Sequence, residues 1–401
     1  MREVAGPGNT VVKERTERWG RGLRYRARYT GPDGRERSQS FPDGRKREAE
    51  AFASAQVTDI RRGSWTDPDD GRVTLREFTE DTWLPSLTSN PTTQVRIASQ
   101  VRTHILPSLG DRELGKLAKH PSVIQRWVSA LPVAPSTAQG ILAVLSGILA
   151  AALEDGMISR NPCRTVRGPA VPQRRIVPWE ADRAAAVREA LPERYRAMAD
   201  CGDGLGLRQS EVFGLDPASI DWLRHVVHVR QQLKCIAGRM VLAPPKGGRE
   251  RDVPLPESVQ LALAAHMEHF PPAEVSLPWV RPDGRLTPAR LLFSTPSGTP
   301  LRSNGFGRRV WHPALRKAGV PPGRENGFHA LRHRFASVLL SDGASPKDVA
   351  EYLGHHDPGF TLRTYVHVMP KAGDRMRRII DDAKAGIPGP AAAPRSSRGG
   401  A

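Results

Sequence analysis

Six side chains in the second half of this 401-residue chain are of types and spacings that could work on a phosphodiester. Arg208 stands in Gly206-Leu207-Arg208-Gln209-Ser210-Glu211, Lys246 opens Lys246-Gly247-Gly248, and His329 and Arg332 share His329-Ala330-Leu331-Arg332. His355 closes Leu353-Gly354-His355, and Tyr365 follows ten residues later. Two guanidinium groups can grip phosphate oxygens in pairs and stabilise the charge that gathers as a nucleophile approaches, which suits Arg208 and Arg332. A phenol has a pKa of about 10, so near pH 7 only about one part in a thousand is ionised, equivalent to about 4 kcal/mol. Tyr365 as nucleophile therefore needs an acceptor for its proton. A neutral imidazole is the usual one, and His329 is the candidate general base, with His355 donating a hydrogen bond to phosphate. An ammonium on a mobile turn can protonate a departing oxygen, and Lys246, flanked by two glycines, fits as general acid.

Each piece also has an ordinary reading. Arg208 could form an ion pair with Glu211, and Tyr365 could be a packing residue. His329 and His333 fall at i and i+4, but the Glu of a His-Glu-x-x-His zinc site is missing and no cysteine is near, so a metal is not expected. No Gly-rich phosphate loop ending in Lys-Ser or Lys-Thr occurs, which argues against nucleotide hydrolysis.

In order along the chain, the six residues resemble the tyrosine recombinase (phage integrase) family. That family is marked by an Arg in a Gly-Leu-Arg-x-Ser-Glu box, a Lys on a β-hairpin, a His-x-x-Arg box, a Leu-Gly-His box and a Thr-x-Tyr segment. Arg208, Lys246, His329, Arg332, His355 and Tyr365 occupy those positions. The run Arg102-Thr103-His104-Ile105-Leu106-Pro107-Ser108-Leu109-Gly110 looks like part of the family's helical core-binding domain, and the N-terminal segment looks like an arm-binding domain. Two departures are Ala330, where the family often has Asp, and His356, where a small polar residue often follows Leu-Gly-His. The resemblance implies DNA cleavage through a 3′-phosphotyrosyl bond without ATP, metal or other cofactor, and a tetramer assembled on double-stranded attachment sites. An excisionase or a DNA-bending host protein would be the further partner. Type IB topoisomerase-like relaxation, or a DNA-binding regulator without activity, is the alternative.

The elements that must position these residues divide the chain into several parts. In residues 1–65, Leu23-Arg24-Tyr25-Arg26-Ala27-Arg28-Tyr29 alternates apolar residues with arginine, as a strand with one cationic face does. Pro32-Asp33-Gly34 turns the chain, Arg35 to Phe41 returns, and Ala49, Phe52, Ala53, Val57 and Ile60 recur at helical spacing. A three-stranded sheet with one helix is expected there. Residues 72–165 read as all-helical, opened by the capping box Thr74-x-x-Glu77, with helices over 92–105, 121–131 and 136–155. Residues 166–178 form a Pro-containing basic linker, and Arg164, Arg167, Arg174 and Arg175 are candidates for DNA phosphates beside Arg24, Arg26 and Arg28.

From 179 to 385 helices mix with strands over 225–232, 240–243 and 251–255, Lys246 lying at the turn between the last two. Met376, Ile379, Ile380 and Ala383 form an apolar helical stripe, and the low-complexity tail 386–401 is expected to be disordered. The fold class is thus multidomain: a small α+β sheet domain, an all-α SAM-like core-binding domain, and a mainly-α catalytic domain of the DNA breaking-rejoining type.

Composition agrees with a polyanionic partner. The chain carries 60 Lys plus Arg against 42 Asp plus Glu, a net charge of +18, and its cations are mostly arginine. Three cysteines, Cys163, Cys201 and Cys235, offer no C-x-x-C pair, which argues against a zinc module or a disulfide framework and suits a reducing cytoplasm near the nucleoid. The N-terminus lacks an apolar leader, and the longest apolar run, Gly140 to Leu153, is too short to span a bilayer, so no membrane is expected.

Overall fold

In a computed structural model of the chain, residues 2–5, 11–14, 22–61, 70–172, 176–355, 357–365 and 373–385 are described. Arg174, Arg175, His356 and the tail 386–401 lie outside them. The chain divides into two compact units, residues 1–172 and 173–401.

In the first unit, β1 (Arg2–Ala5) pairs with β2 (Val11–Glu14), and β3 (Leu23–Thr30) pairs with β4 (Glu36–Pro42), both antiparallel. The expected three-stranded sheet is therefore two separate two-stranded ladders. Alternation along β3 buries Ala27 and Tyr29 and leaves Arg24, Arg26 and Arg28 exposed. The helix Lys46–Arg61 covers the apolar side, with the Phe52 ring 6.0 Å from Tyr29 and 5.6 Å from Phe41.

The helical part opens as expected. The Thr74 hydroxyl accepts from the Glu77 backbone N–H at 3.2 Å, and the Glu77 carboxylate accepts from the Thr74 N–H at 2.9 Å. Helices Pro91–Gln100, Pro121–Ser129 and Pro135–Glu154 then enclose a core of Leu75, Val101, Ile105, Leu114, Ile124, Ile141, Leu145 and Leu149. The last of these helices, 20 residues as the sequence predicts and one residue earlier, is apolar enough to cross a membrane by length and composition alone, which the run Gly140 to Leu153 by itself did not suggest. Seven of its residues instead face the core of this unit. The segment after it is fastened down rather than loose: Gln125 bridges the Arg167 backbone at 2.9 and 3.0 Å, and the Gln139 amide donates to the Pro169 carbonyl at 3.0 Å. Arg164 and Arg167 are exposed.

The second unit begins with Trp179, stacked on Trp311 at 6.2 Å. Both indole N–H groups donate to Asn326, at 3.0 and 2.9 Å, which satisfies polar atoms inside the main core. The expected strand over 225–232 is shorter, ending at Val229, and a second strand begins at Gln232. β5 (Ile220–Asp221), β6 (Val226–Val229) and β9 (Arg251–Pro254) form one antiparallel sheet in the order β5-β6-β9, while β7 (Gln232–Ile236) pairs with β8 (Arg239–Ala243). Lys246 consequently does not sit on a hairpin between its flanking strands. β8 and β9 belong to different sheets, and the tight hairpin turn is Ala237-Gly238, both with positive φ, while Lys246 lies on the connection leaving β8. β10 (Ala273–Pro278) and β11 (Leu286–Leu291) form a further hairpin. The helices Glu193–Gly204 and His329–Ser341 pack together and are tied by an Asp203–Arg334 ion pair at 2.6 Å.

Candidate active site

The motif residues are brought together by two left-handed glycines. Gly206 ends the loop after helix Glu193–Gly204 at φ +61°, a conformation disfavoured for other residues. A Cβ there would also lie 2.4 Å from the Phe335 ring. That turn presents the Gly206 carbonyl to Arg332, whose Nη1 donates to it at 2.6 Å, and delivers Arg208 to the N-cap of helix Gln209–Phe213. Gly354 is the second, at φ +61°, terminating helix Pro346–Leu353. Its carbonyl accepts from Arg208 Nη2 at 3.3 Å, and the Leu353 carbonyl beside it accepts from Arg332 Nη2. The three boxes recognised in the sequence are therefore cross-linked through main-chain oxygens.

Glu211 completes the knot. Its carboxylate is buried and accepts from the Arg208 side chain at 2.8 Å and backbone N–H at 2.9 Å, and from Arg251 at 3.1 and 2.7 Å. Burial alone would raise its pKa, but the bonds from Arg251 and the nearby Arg208 charge outweigh that and pull it down to about 2. Arg251 also donates to the Tyr352 carbonyl at 2.6 Å, and Arg249 on the Lys246 connection reaches the His355 carbonyl at 3.4 Å. Sequence reasoning anticipated the Arg208–Glu211 pair and missed Arg251, whose place opposite Glu211 comes from β9.

Arg332 is 1% exposed, and its charge is disfavoured by burial and by Arg208 and Arg251, with Glu211 opposing. Its two carbonyl bonds take two of its five N–H donors. The histidines around it are held neutral. Burial of the imidazole and then the charges of His333, Arg332 and Arg208 press His329 down to about 3, although the residue as a whole is exposed. His355, half-buried and 2.7 Å from the Thr361 hydroxyl, falls to about 4 through burial and then Arg332 and Arg208.

Tyr365 ends helix Pro358–Tyr365 and is 2% exposed, packed among Ala336, Leu340, Val349 and Leu353. Burial pushes its phenol up to about 12, with Arg332 pulling the other way. The hydroxyl's hydrogen-bond partner is His333, whose Nδ1 lies 2.6 Å away, not the His329 that the sequence paired with it. His333 follows His329 by one helical turn on the same helix, so the i, i+4 spacing noticed in the sequence was the available signal. Lys246 is exposed. Chemically the site is a cluster of three guanidiniums with one carboxylate, neutral imidazoles and a buried phenol, an arrangement suited to a phosphate that gains charge.

Two outcomes follow from this network. Replacing Arg251 by Met leaves Glu211 buried with half its partners, and urea unfolding of the second unit should show a loss of about 3–5 kcal/mol. His329, His333 and His355 each have a folded pKa below the ordinary 6.5, so below that pH the unfolded chain binds more protons than the folded one. Stability should therefore be full above about 6.5 and drain away as the pH falls toward about 4, the folded values of His333 and His355. An unfolding free energy constant from pH 7.5 to 4 would contradict these assignments.

Comparison with known proteins accords with this geometry. The prophage phiRv2 integrase of Mycobacterium tuberculosis strain H37Rv is 28% identical over 88% of this chain and 90% of its own length. A XerC-like tyrosine recombinase of Caldanaerobacter subterraneus is 27% identical over 84% of this chain and 90% of its own. Among solved structures, the Tn1549 transposon integrase bound to circular-intermediate DNA superposes with a TM-score of 0.64 at 19% identity, covering 77% of this chain and 99% of that one. A lambda integrase dimer on a core site gives 0.56 at 17% identity, covering 73% and 95%, so the fold is shared. Residues 179–372 match the phage integrase family. Through residues 179–372 this chain carries a phage integrase family domain, and relatives named as integrases and tyrosine recombinases align over most of its length.

Proposed function

We propose that this site-specific recombinase integrates or excises a phage or other mobile element, with Arg208, Lys246, His329, Arg332, His355 and Tyr365 as its catalytic set. The observation that carries the reading is the locking of Arg208 and Arg332 by the carbonyls of Gly354, Gly206 and Leu353, with the Tyr365 phenol held against the same helix as Arg332. The guanidiniums grip the non-bridging oxygens of the scissile phosphate, and His329 and His355 stand by as neutral imidazoles able to donate through N–H. The Tyr365 oxygen bonds to phosphorus as its proton passes to a neighbouring neutral imidazole, the bond to the 5′ oxygen breaks, and Lys246 gives that oxygen a proton. A 3′-phosphotyrosyl bond and a free 5′-hydroxyl remain, and because one phosphoester replaces another the energy for religation is kept.

Double-stranded attachment DNA is the substrate. Residues 1–65 serve as the arm-binding domain through the exposed face Arg24, Arg26 and Arg28, and residues 72–165 as the core-binding domain. Arg164 and Arg167, with Arg174 and Arg175 further along the linker 166–178, meet phosphates. Strand exchange needs four such sites, hence a tetramer on DNA. Of the stripe Met376, Ile379, Ile380 and Ala383 on helix Gly373–Lys384, Ile380 remains 50% exposed and Ala383 is exposed, which supports docking on a neighbouring subunit. An excisionase or a DNA-bending host protein would set the direction.

The test uses a nicked duplex carrying the attachment site, found as direct repeats flanking the coding sequence. Wild-type chain should trap covalent DNA and Tyr365→Phe none, and equal trapping by both would remove Tyr365 as nucleophile. Lys246→Ala should lose about two orders of magnitude or more in cleavage, recovered on a substrate whose leaving oxygen is replaced by sulfur, because a thiolate departs without protonation. Relaxed plasmid without recombinant joints would instead favour the topoisomerase-like alternative.

A further inference from the structure

The hydroxyl that must lose a proton already has a partner, and it is not the histidine of the His-x-x-Arg box. His333 Nδ1 lies 2.6 Å from the Tyr365 oxygen, within the range of a strong hydrogen bond. For Nδ1 to accept from the phenol, the His333 proton must reside on Nε2. The rings of His333 and Tyr365 are 5.8 Å apart at 56°, and His329 meets His333 edge-on at 4.6 Å. His329 is exposed while His333 is half-buried, its ring close to both His329 and Tyr365. The order from solvent inward is thus His329, His333, Tyr365.

We propose that His333 is the catalytic residue that orients Tyr365 and receives its proton. The inference rests on the recombinase reading above. As the Tyr365 oxygen bonds to phosphorus, its O–H bond breaks and the proton moves to His333 Nδ1, giving an imidazolium. The 5′ oxygen leaves with a proton from Lys246, and religation runs both transfers backward. The groups that face His333 are His329 and Arg332 on its own helix, Tyr365 on helix Pro358–Tyr365, and His355 on the turn before it. Burial and then Arg332 keep the imidazole unprotonated at neutral pH, so its Nδ1 lone pair is free to hold the phenol proton. Its spacing four residues after His329 gives both rings one helix face, leaving His329 for the phosphate.

The experiment measures covalent-adduct formation against pH on the sulfur-substituted substrate, where leaving-group protonation does not limit the rate. Full-length wild type, His333→Phe, His333→Asn and His329→Asn are compared, with gel-shift affinity for the same duplex as the check on folding. Wild type should be flat from pH 6.5 to 9. His333→Phe should be slower by about a hundredfold or more at pH 7 and then rise about tenfold per pH unit, because the phenol must ionise to water. His333→Asn keeps an acceptor near the Nδ1 position and should recover part of the rate without the flat profile. His329→Asn should be slower yet still flat. The inference is overturned if His333→Phe keeps the wild-type rate and profile, or if the hydroxide dependence appears in His329→Asn instead. A wild-type chain that forms no adduct sinks the recombinase reading and the proton transfer with it. A wild-type adduct with an unaltered His333→Phe sinks only the role of His333.

Discussion

A guanidinium withdrawn from water has to be met by oxygen atoms, and the catalytic unit is organised around satisfying that demand at Arg332. The oxygens come from the main chain at Gly206 and Leu353, two loops 147 residues apart in the sequence that converge on one side chain. Each loop can turn its carbonyl inward only because a glycine adopts a left-handed conformation there. Arg208 and Arg251 extend the same logic through Glu211, whose two oxygens hold both arginines in fixed orientations. Motifs far apart along the chain are therefore parts of a single polar network, and a fault in any of them is felt by all.

The charge balance of this network matters as much as its shape. Three guanidiniums share one carboxylate, an excess of positive charge in a partly dehydrated cleft, where each charge acts more strongly than in water. Burial first, and then that excess, depresses the histidines and keeps them neutral at physiological pH. Neutral imidazoles can accept or donate a proton, whereas three further cations would repel one another and have nothing to accept with. The same environment leaves the phenol of Tyr365 harder to ionise than in water, since burial outweighs the pull of Arg332. Attack through a free phenolate would be unfavourable, and transfer of the proton in concert with bond formation removes the need for it.

Much of this site was legible in the sequence. Local patterns announced themselves: the capping box at Thr74 and Glu77, the alternating arginine face of β3, and the Arg208–Glu211 pair at three-residue spacing all lie within a few residues. Contacts set by tertiary structure were less accessible. Arg251 faces Glu211 across 40 residues, and the phenol of Tyr365 finds His333 across 32, separations that no periodicity encodes. The strand pairing was misjudged for a related reason. The pattern over 225–232 does not reveal that β6 ends at Val229 and pairs with β9 while β7, starting at Gln232, pairs with β8, so the turn at Lys246 reads as a hairpin that the register does not form.

The seclusion of Tyr365 carries a consequence for its chemistry. With only 2% of its surface accessible, this side chain is shut away from any duplex that merely brushes past. A phenol so concealed is sheltered from solvent and stray reagents, and its hydroxyl meets His333 before anything else.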